Sequence, residues 1–256
     1  WDPHPGRLFS TWLDPNLLGG FFVLAIAVLV GAPRTARPVR KFFLLVAGAL
    51  LVLAVVLTKS RTSLLALAAV GGTSLLILRS WRRWFPLATA AALGLLLVPS
   101  FAVRLRGFSA ADPTASLRLQ SWGQALQQFS KFPLFGTGYN AYGFEQLAAG
   151  NIGNLALHSR AGADNSFLTL GATTGVWGSV ILFLLLNALL WILLRRWRRD
   201  PPTRALLPVV LSAFVAFLVH AQFVHSLVYV HLLVPFILLL SGALRSDNSR
   251  QESLPT

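Results

Sequence analysis

Two basic residues interrupt an apolar part of the chain and are the first candidates for chemistry. The stretch "AVVLTKSRTSLLALAAV" (54–70) places Lys59 and Arg61 in a short polar break between two apolar runs. A guanidinium group stays charged and forms paired hydrogen bonds with phosphate or carboxylate oxygens, so Arg61 is a candidate for binding an anion. The alternative is an interfacial arginine whose charge extends to the lipid headgroups.

A second candidate arginine, Arg118, lies in "DPTASLRLQSWGQALQQFSKFPLFGTGYNAYG" (112–143). Asp112 is a typical N-cap residue, and Pro113 is typical of the first helical position, which predicts a helix that ends near Ser130. Arg118 either contacts lipid headgroups or is directed toward an anionic ligand beneath this helix. One helix face is predicted to hold Arg118, Trp122, Ala125 and Phe129.

Two residues are candidates for proton transfer, Asp164 and His158. Asp164, Asn165 and Ser166 are all good capping types, so capping the following helix is the simplest role of Asp164. A carboxylate at that position could also be a general base, although helix N–H groups bonded to it would weaken it as a base. An imidazole such as that of His158 suits proton transfer at neutral pH. Both candidates stay open.

Three histidines surround the last polar turn of the chain, in "HAQFVHSLVYVH" (220–231). Their spacings of five and six residues do not place them on one helical face, and no carboxylate is near in sequence. We therefore predict polar packing for them and no metal site. The chain has no cysteine, which excludes disulfides and thiolate metal sites, and no cofactor is predicted.

Composition identifies the elements that must position these residues. Hydrophobic residues make up 55% of the chain and charged residues 12%, which points to lipid as the solvent. The predicted fold class is an all-α membrane protein, a polytopic bundle of about seven transmembrane helices with one large, partly helical outer loop. The seven apolar runs are Leu17–Ala32, Phe42–Leu57, Leu64–Leu78, Phe85–Phe101, Phe167–Leu194, Ala205–Phe223 and Val228–Leu244.

Charge predicts the orientation of the bundle. Arginine-rich segments at 34–41, 79–83 and 195–204 and the tail fall on one side of the membrane, which the positive-inside rule makes cytoplasmic. Lys59 and Arg61 then face outward. The predicted parts are an outer stretch with four helices (1–101), a large extracytoplasmic loop (102–166), three helices (167–244) and a cytoplasmic tail (245–256). Because the chain opens on Trp1, we expect it to be part of a longer protein.

The net charge of +14 at first suggests nucleic-acid binding. The basic residues lie in short clusters between apolar runs, where topology signals occur, so we predict membrane lipids and no nucleic acid as partners. Other features are weak: "GTGYNAYG" predicts tight turns, and Gly171 and Gly175 predict a helix-packing face.

In this order, five segments resemble the O-antigen ligase and O-antigen polymerase family of polytopic membrane glycosyltransferases. They cover nearly the whole chain, and the order and topology are more specific than any single segment. The segments are "GRLFSTWLDPNLLGGFF", with Arg7; "SRTSLLAL", with Arg61; "SLRLQSWGQALQQFSKFPLFGTGYNAYG", with Arg118; "DNSFLTLGATTGVWGSVIL", with Asp164; and "VHAQFVHSLVYVHLLVPFILLLSGAL".

The resemblance implies transfer of a glycan from a polyprenyl-diphosphate carrier to a hydroxyl of a lipid, glycan or protein acceptor. The reaction would take place without metal at the outer face of the bacterial cytoplasmic membrane. It assigns the diphosphate to Arg61 and Arg118, with Arg7 as a weaker third candidate, and proton transfer to Asp164 or His158. Such proteins usually have about ten to twelve helices, so three to five further helices are expected before this chain.

One departure leaves the branch of the family open. Ligases of this family typically have His where this chain has Asp164, so a polymerase that joins lipid-linked repeat units is the first alternative. A small-anion transporter is an alternative of a different class, although the apolar runs contain no charged residue. A structural membrane scaffold is the third, but it would not need a large folded loop with arginines.

Overall fold

The computed structural model describes residues 6–9, 11, 14–30, 37–78, 113–151, 162–199 and 201–245. Within these ranges the chain is helical and contains no strand, which confirms the all-α class there. The predicted run Phe85–Phe101 and the tail lie outside the described residues, so the count of seven crossings stays a prediction. The helices are α1 (Pro15–Val30), α2 (Pro38–Leu57), α3 (Arg61–Leu78), α4 (Pro113–Lys131), α5 (Tyr142–Ala148), α6 (Ser166–Arg199), α7 (Pro201–Ala221) and α8 (Val230–Arg245).

Among the described residues, two helices are long and apolar enough to cross a membrane, namely α2 and the part Ser166–Arg196 of α6. On α2, the side chains of Phe42, Leu45 and Leu50 are 62%, 73% and 61% exposed. Large apolar side chains on the outside of so long an apolar helix are typical of contact with lipid. Shorter apolar helices are Pro15–Val30, Arg61–Leu76, Val209–Ala221 and Val230–Gly242.

The chain divides into two compact units. What we call the loop unit contains the described residues of 87–188 and the turn 221–228, and so includes α4, α5 and the first part of α6. What we call the helix unit contains the described residues of 6–86, 189–220 and 229–256, and so includes α1, α2, α3, α8 and most of α7.

The helix unit is organised around α1, which packs against α2, α3 and α8. A hydrogen bond of 3.0 Å between the hydroxyls of Ser74 and Ser212 joins α3 to α7. The rings of Phe217 on α7 and Phe236 on α8 stack with their centroids 4.1 Å apart. In a membrane, apolar side chains are solvated about as well by lipid as by protein, so hydrophobic burial does little to hold helices together. Hydrogen-bonded hydroxyls and stacked rings are common contacts between helices there.

The core of the loop unit brings α4, α5 and α6 together. As predicted, α4 begins at Pro113, and it ends at Lys131, one residue past the expected end. Small residues on α4 and α6 let the larger rings fit between the helices. The core consists of Ala125, Tyr142, Ala163 and Ala172, with Trp122 and Leu168 packed against it.

Candidate functional site

The N-terminus of α6 is the structural centre of the loop unit. The side-chain oxygen of Asn165 accepts hydrogen bonds from the N–H groups of Phe167 (2.9 Å) and Leu168 (3.1 Å), so Asn165 is the N-cap. The hydroxyl of Ser166 donates to the carbonyl of Val224 (2.7 Å) and accepts from the N–H of Leu227 (3.2 Å). These bonds fix the turn 222–228 against the start of α6.

Asp164 precedes the cap and is turned away from it. Its backbone is left-handed, with φ of 49°, and its side chain is 42% exposed. Asp is one of the few residue types that adopt this conformation at moderate cost. Because Asn165 caps the helix, the expected competition between capping and base chemistry does not arise for Asp164. Its carboxylate is available to a ligand.

His225 lies beside Asp164, although 61 residues separate them in sequence. Nε2 of His225 is 3.9 Å from Oδ1 of Asp164, and Nδ1 is 3.4 Å from the hydroxyl of Thr169. A Cβ atom on Gly162 would overlap Cε1 of the imidazole, so only glycine lets the backbone pass this close to the ring. His225 was expected to have only a packing role. Its partner could not be inferred because the carboxylate comes from a distant segment.

Arg118 is directed toward the protein and meets the same turn. Its guanidinium carbon lies 6.0 Å from the centre of the Phe223 ring. The centres of the Trp122 and Phe223 rings are 6.1 Å apart. Phe129, further along the predicted face, lies against Gly171 of α6. The residues that were predicted to share one face of α4 therefore lie on the face that packs against the rest of the loop unit. Arg118 and Asp164 contact residues 223 and 225 of a single turn.

Two buried polar atoms in the core of the loop unit have no hydrogen-bond partner among the described residues: the hydroxyl of Tyr142 and Nε1 of Trp122. Tyr142 is 3% exposed. Burial, with a smaller contribution from the negative charge of Asp164, raises the pKa of the Tyr142 phenol far above its ordinary value. The phenol is therefore neutral and can donate a hydrogen bond at any physiological pH.

The segment 133–138, "PLFGTG", docks into a break in α6. At Gly175 the helix leaves helical geometry, with φ of 68° and ψ of −163°. The N–H of Val176 donates to the carbonyl of Pro133 (2.8 Å), and the N–H of Gly138 donates to the carbonyl of Thr173 (2.8 Å). The loop thus supplies partners for backbone groups that the break would otherwise leave unpaired. The expected helix-packing role of Gly175 is wrong, because its freedom of conformation makes the break.

A chain of buried amides holds this docked segment to α4 and α5. The Asn151 amide donates to the Gln146 side chain (2.7 Å), and the Gln146 amide donates to the Gln128 side chain (2.6 Å). The Gln128 amide donates in turn to the hydroxyl of Thr137 (2.8 Å). Fully paired polar groups of this kind fix one arrangement of a core. The docked segment 133–138 is therefore held to α4 and α5.

In the helix unit, Arg7 holds the turn between α2 and α3. Its Nε donates to the carbonyl of Thr58 (2.8 Å), and a second guanidinium nitrogen donates to the side-chain oxygen of Asn16 (3.1 Å). The carbonyl of Asn16 is also 3.0 Å from Nε2 of His220. Arg7 thus supports this turn, and its weaker candidacy as a diphosphate ligand stays a prediction.

Lys59 and Arg61 flank the start of α3. Lys59 follows the C-cap of α2 in a left-handed conformation with φ of 50°, which is unusual for a long side chain. The hydroxyl of Ser60 accepts from the N–H of Ser63 (3.2 Å) and so caps α3, whose first residue is Arg61. A cation at a helix N-terminus is unfavourable by itself, because the first N–H groups of the helix already carry partial positive charge.

The predicted site residues thus fall into two groups. Arg118 and Asp164 belong to the loop unit, and Arg7 and Arg61 belong to the helix unit. His158 lies outside the described residues. The described part of the chain has no group of three or more His, Asp or Glu side chains that could hold a metal ion.

Comparison with known proteins agrees with the resemblance in the sequence. No curated protein matches the chain. The family model described as O-antigen ligase matches residues 44–183, which is more than half of the chain and includes Arg61, Arg118 and Asp164. This family consists of membrane proteins that act on lipid-linked glycans and their acceptors in O-antigen synthesis. The chain belongs to the O-antigen ligase family.

Proposed function

We propose that the protein transfers a glycan from a polyprenyl-diphosphate carrier to an acceptor hydroxyl at the outer face of the cytoplasmic membrane. One observation is the basis of the proposal: the turn 222–228 contacts Arg118 through Phe223 and Asp164 through His225. Transfer from a diphosphate needs a cation for the leaving group and a base for the attacking hydroxyl. In the loop unit, a cation (Arg118) and a candidate base (Asp164) both contact the turn 222–228.

The chemistry assigns a role to each group. The acceptor oxygen forms a bond to the anomeric carbon while the bond from that carbon to the diphosphate oxygen breaks. The electron pair leaves with the diphosphate, and the arginines stabilise the added negative charge. The proton of the hydroxyl passes to the carboxylate of Asp164. His158 is the alternative base.

Arg61 is the proposed diphosphate ligand of the helix unit. It stands at the start of α3, where the first N–H groups of the helix also attract anions. Lys59, two residues earlier, occupies a backbone conformation that usually suits glycine or asparagine. We propose that the reaction needs no metal ion.

We also propose the topology from the sequence, with seven crossings, the segment 102–166 outside and the arginine-rich segments in the cytoplasm. The exposed apolar side chains of α2 and the length of α6 support two of these crossings. In that orientation the turn at Lys59 and the segment 102–166 both lie on the outer side, where a lipid-linked glycan is presented.

The test is a glycan gel of the source organism after deletion of the gene, and after its restoration with wild type or a variant. Arg118→Ala and Arg61→Ala should each abolish transfer while the protein still inserts into the membrane. Lys at either position should restore transfer only in part, because a point charge cannot form the paired hydrogen bonds. Arg40→Ala is the matched control, since Arg40 is an exposed arginine in the first turn of α2.

The outcomes separate the candidate functions. Glycan that accumulates on its lipid carrier without reaching the acceptor identifies a ligase. Glycan that stops at one repeat unit identifies a polymerase. A gel unchanged by deletion would contradict both enzymes and favour the transporter. Full transfer by Arg118→Ala or by Arg61→Ala would remove that arginine from the reaction.

A further inference from the structure

Beside the carboxylate of Asp164, His225 is held on three sides. Its side chain is 11% exposed, compared with 42% for Asp164. Gly162 packs against Cε1, and the hydroxyl of Thr169 lies 3.4 Å from Nδ1. Nε2, at the other edge of the ring, faces the carboxylate at 3.9 Å. The imidazole is thus less exposed than Asp164, and its other edges contact Gly162 and Thr169.

The hydrogen-bond partners select one neutral form of the ring. An ionised carboxylate only accepts hydrogen bonds, so the nitrogen that faces it, Nε2, must hold the hydrogen. Nδ1 is then an acceptor and needs a donor. The hydroxyl of Thr169 can be that donor, because it accepts from the N–H of Ala163 (2.9 Å) and keeps its own hydrogen free.

We infer that His225 is a positioning residue that donates its Nε2–H to Asp164 and orients the carboxylate toward the acceptor hydroxyl. The inference rests on the proposed function of Asp164 as the base. The separation of 3.9 Å is longer than a direct hydrogen bond, and a movement of about 1 Å by the exposed side chain of Asp164 closes it. Catalytic hydrogen bonds often tighten only when substrate is bound.

The remaining charged and titratable groups packed around this pair are few in the described structure. The neutral phenol of Tyr142, from α5, lies close enough to Asp164 for the negative charge to contribute to its raised pKa. From α4, Arg118 contacts Phe223, two residues before His225. Thr169, from α6, is polar but does not titrate. Among the described residues, Nε2 of His225 is a donor that a fixed ring directs toward the carboxylate.

The first experiment tests the geometry without any glycan. ¹⁵N NMR of imidazole-labelled full-length protein in lipid nanodiscs at pH 8 distinguishes the two neutral forms of each histidine, and the His225→Gln spectrum assigns the signal. Wild type should show the Nε2–H form at about tenfold excess or more. Thr169→Val, which keeps the shape but loses the hydroxyl, should give a mixture, and Thr169→Ser should restore the excess. An Nδ1–H form in wild type, or no response to Thr169→Val, would overturn the inference.

The second experiment measures the initial rate of glycan transfer in membranes of the deletion strain, which contain the native donor and acceptor. His225→Phe keeps a planar ring but has no donor, and should lower the maximal rate by about 10- to 100-fold with little change in apparent KM, as expected for a lost bond to a charged group. His225→Gln, which places an N–H₂ donor near the position of Nε2, should recover most of the rate. His231→Phe, an exposed histidine of α8, is the control and should match wild type.

The two experiments fail separately. If wild type transfers no glycan, the proposed function is wrong, and the NMR result still decides whether His225 is paired with Asp164. If wild type transfers glycan but His225→Phe is as fast, or His225→Gln is as slow as His225→Phe, the positioning role is wrong and the proposed function stands. If His225→Phe folds poorly, the NMR comparison of the imidazole forms in Thr169→Val and Thr169→Ser tests the positioning role instead.

Discussion

Replacing Gly175 by alanine should release the docked segment 133–138 from α6. Gly175 has φ of 68° and ψ of −163°, a conformation that is essentially restricted to glycine and costs other residues about 1–3 kcal/mol. A Cβ atom there would also overlap the backbone of Leu134 and lie 2.6 Å from the nitrogen of Gly136. Backbone atoms cannot rotate away as a flexible side chain can, so the segment has to move.

The size of the effect follows from the bonds that the movement breaks. Val176 and Gly138 would lose hydrogen bonds of 2.8 Å to the carbonyls of Pro133 and Thr173, each contributing about 1 kcal/mol. Together with the backbone strain, the free energy of local opening should fall by about 3 kcal/mol or more, which corresponds to an increase of over 100-fold in amide exchange at these two positions.

Gly171→Ala is the matched control, because it adds the same methyl group four residues earlier in the same helix. The Cβ atom would lie 3.5 Å from the hydroxyl of Ser179 and 3.7 Å from Phe129, which is ordinary contact. This variant should exchange like wild type or more slowly, since alanine favours a helix over glycine by about 1 kcal/mol. Hydrogen exchange of both variants in nanodiscs is the assay. Equal protection of Val176 in Gly175→Ala and in wild type would refute the docking argument.

Two further predictions concern the loop unit and the topology. Tyr142→Phe should leave the free energy of unfolding at pH 7 unchanged or raise it by about 1 kcal/mol, because it removes a buried hydroxyl without a partner among the described residues. Burial raises the pKa of Tyr142 in the folded state, so above a pH of about 10 the phenol ionises more readily in the unfolded chain and the free energy of unfolding falls. Thermal unfolding should therefore show less alkaline destabilisation in Tyr142→Phe than in wild type. A loss of stability of Tyr142→Phe at pH 7 would mean that the hydroxyl has a partner. Because the chain has no cysteine, single cysteines report topology cleanly: Lys59→Cys should react with an impermeant maleimide in intact cells and Arg198→Cys only after lysis, and the reverse pattern would invert the proposed orientation.

Local patterns were sufficient to predict much of the fold. The Asp-Pro pair at 112–113 predicted the start of α4, and the polar cluster at 164–166 predicted the start of α6. The apolar runs predicted α2 and the long part of α6. Each of these features is decided by residues within a few turns of one another, through caps, apolar length and the spacing of one helix face.

Contacts between distant segments could not be predicted in this way. The pair His225–Asp164 and the support of the Thr58 turn by Arg7 each join segments that no local pattern relates. The break at Gly175 was missed for a related reason. A glycine within an apolar run usually indicates close helix packing, and only the docked segment 133–138 shows why this glycine needs a positive φ.

The conformation of Asp164 explains which residue types can do its proposed work. A φ of 49° restricts the position chiefly to glycine, asparagine, aspartate and histidine, and of these only aspartate and histidine have side chains that can act as a general base. The ligases that this chain resembles typically have histidine at this position. Histidine and aspartate are the two residue types that can both adopt this backbone conformation and act as a base. Asp164→Asn is therefore a selective perturbation of the base, since it keeps the left-handed conformation and the side-chain shape and replaces the carboxylate with a neutral amide that cannot take the proton.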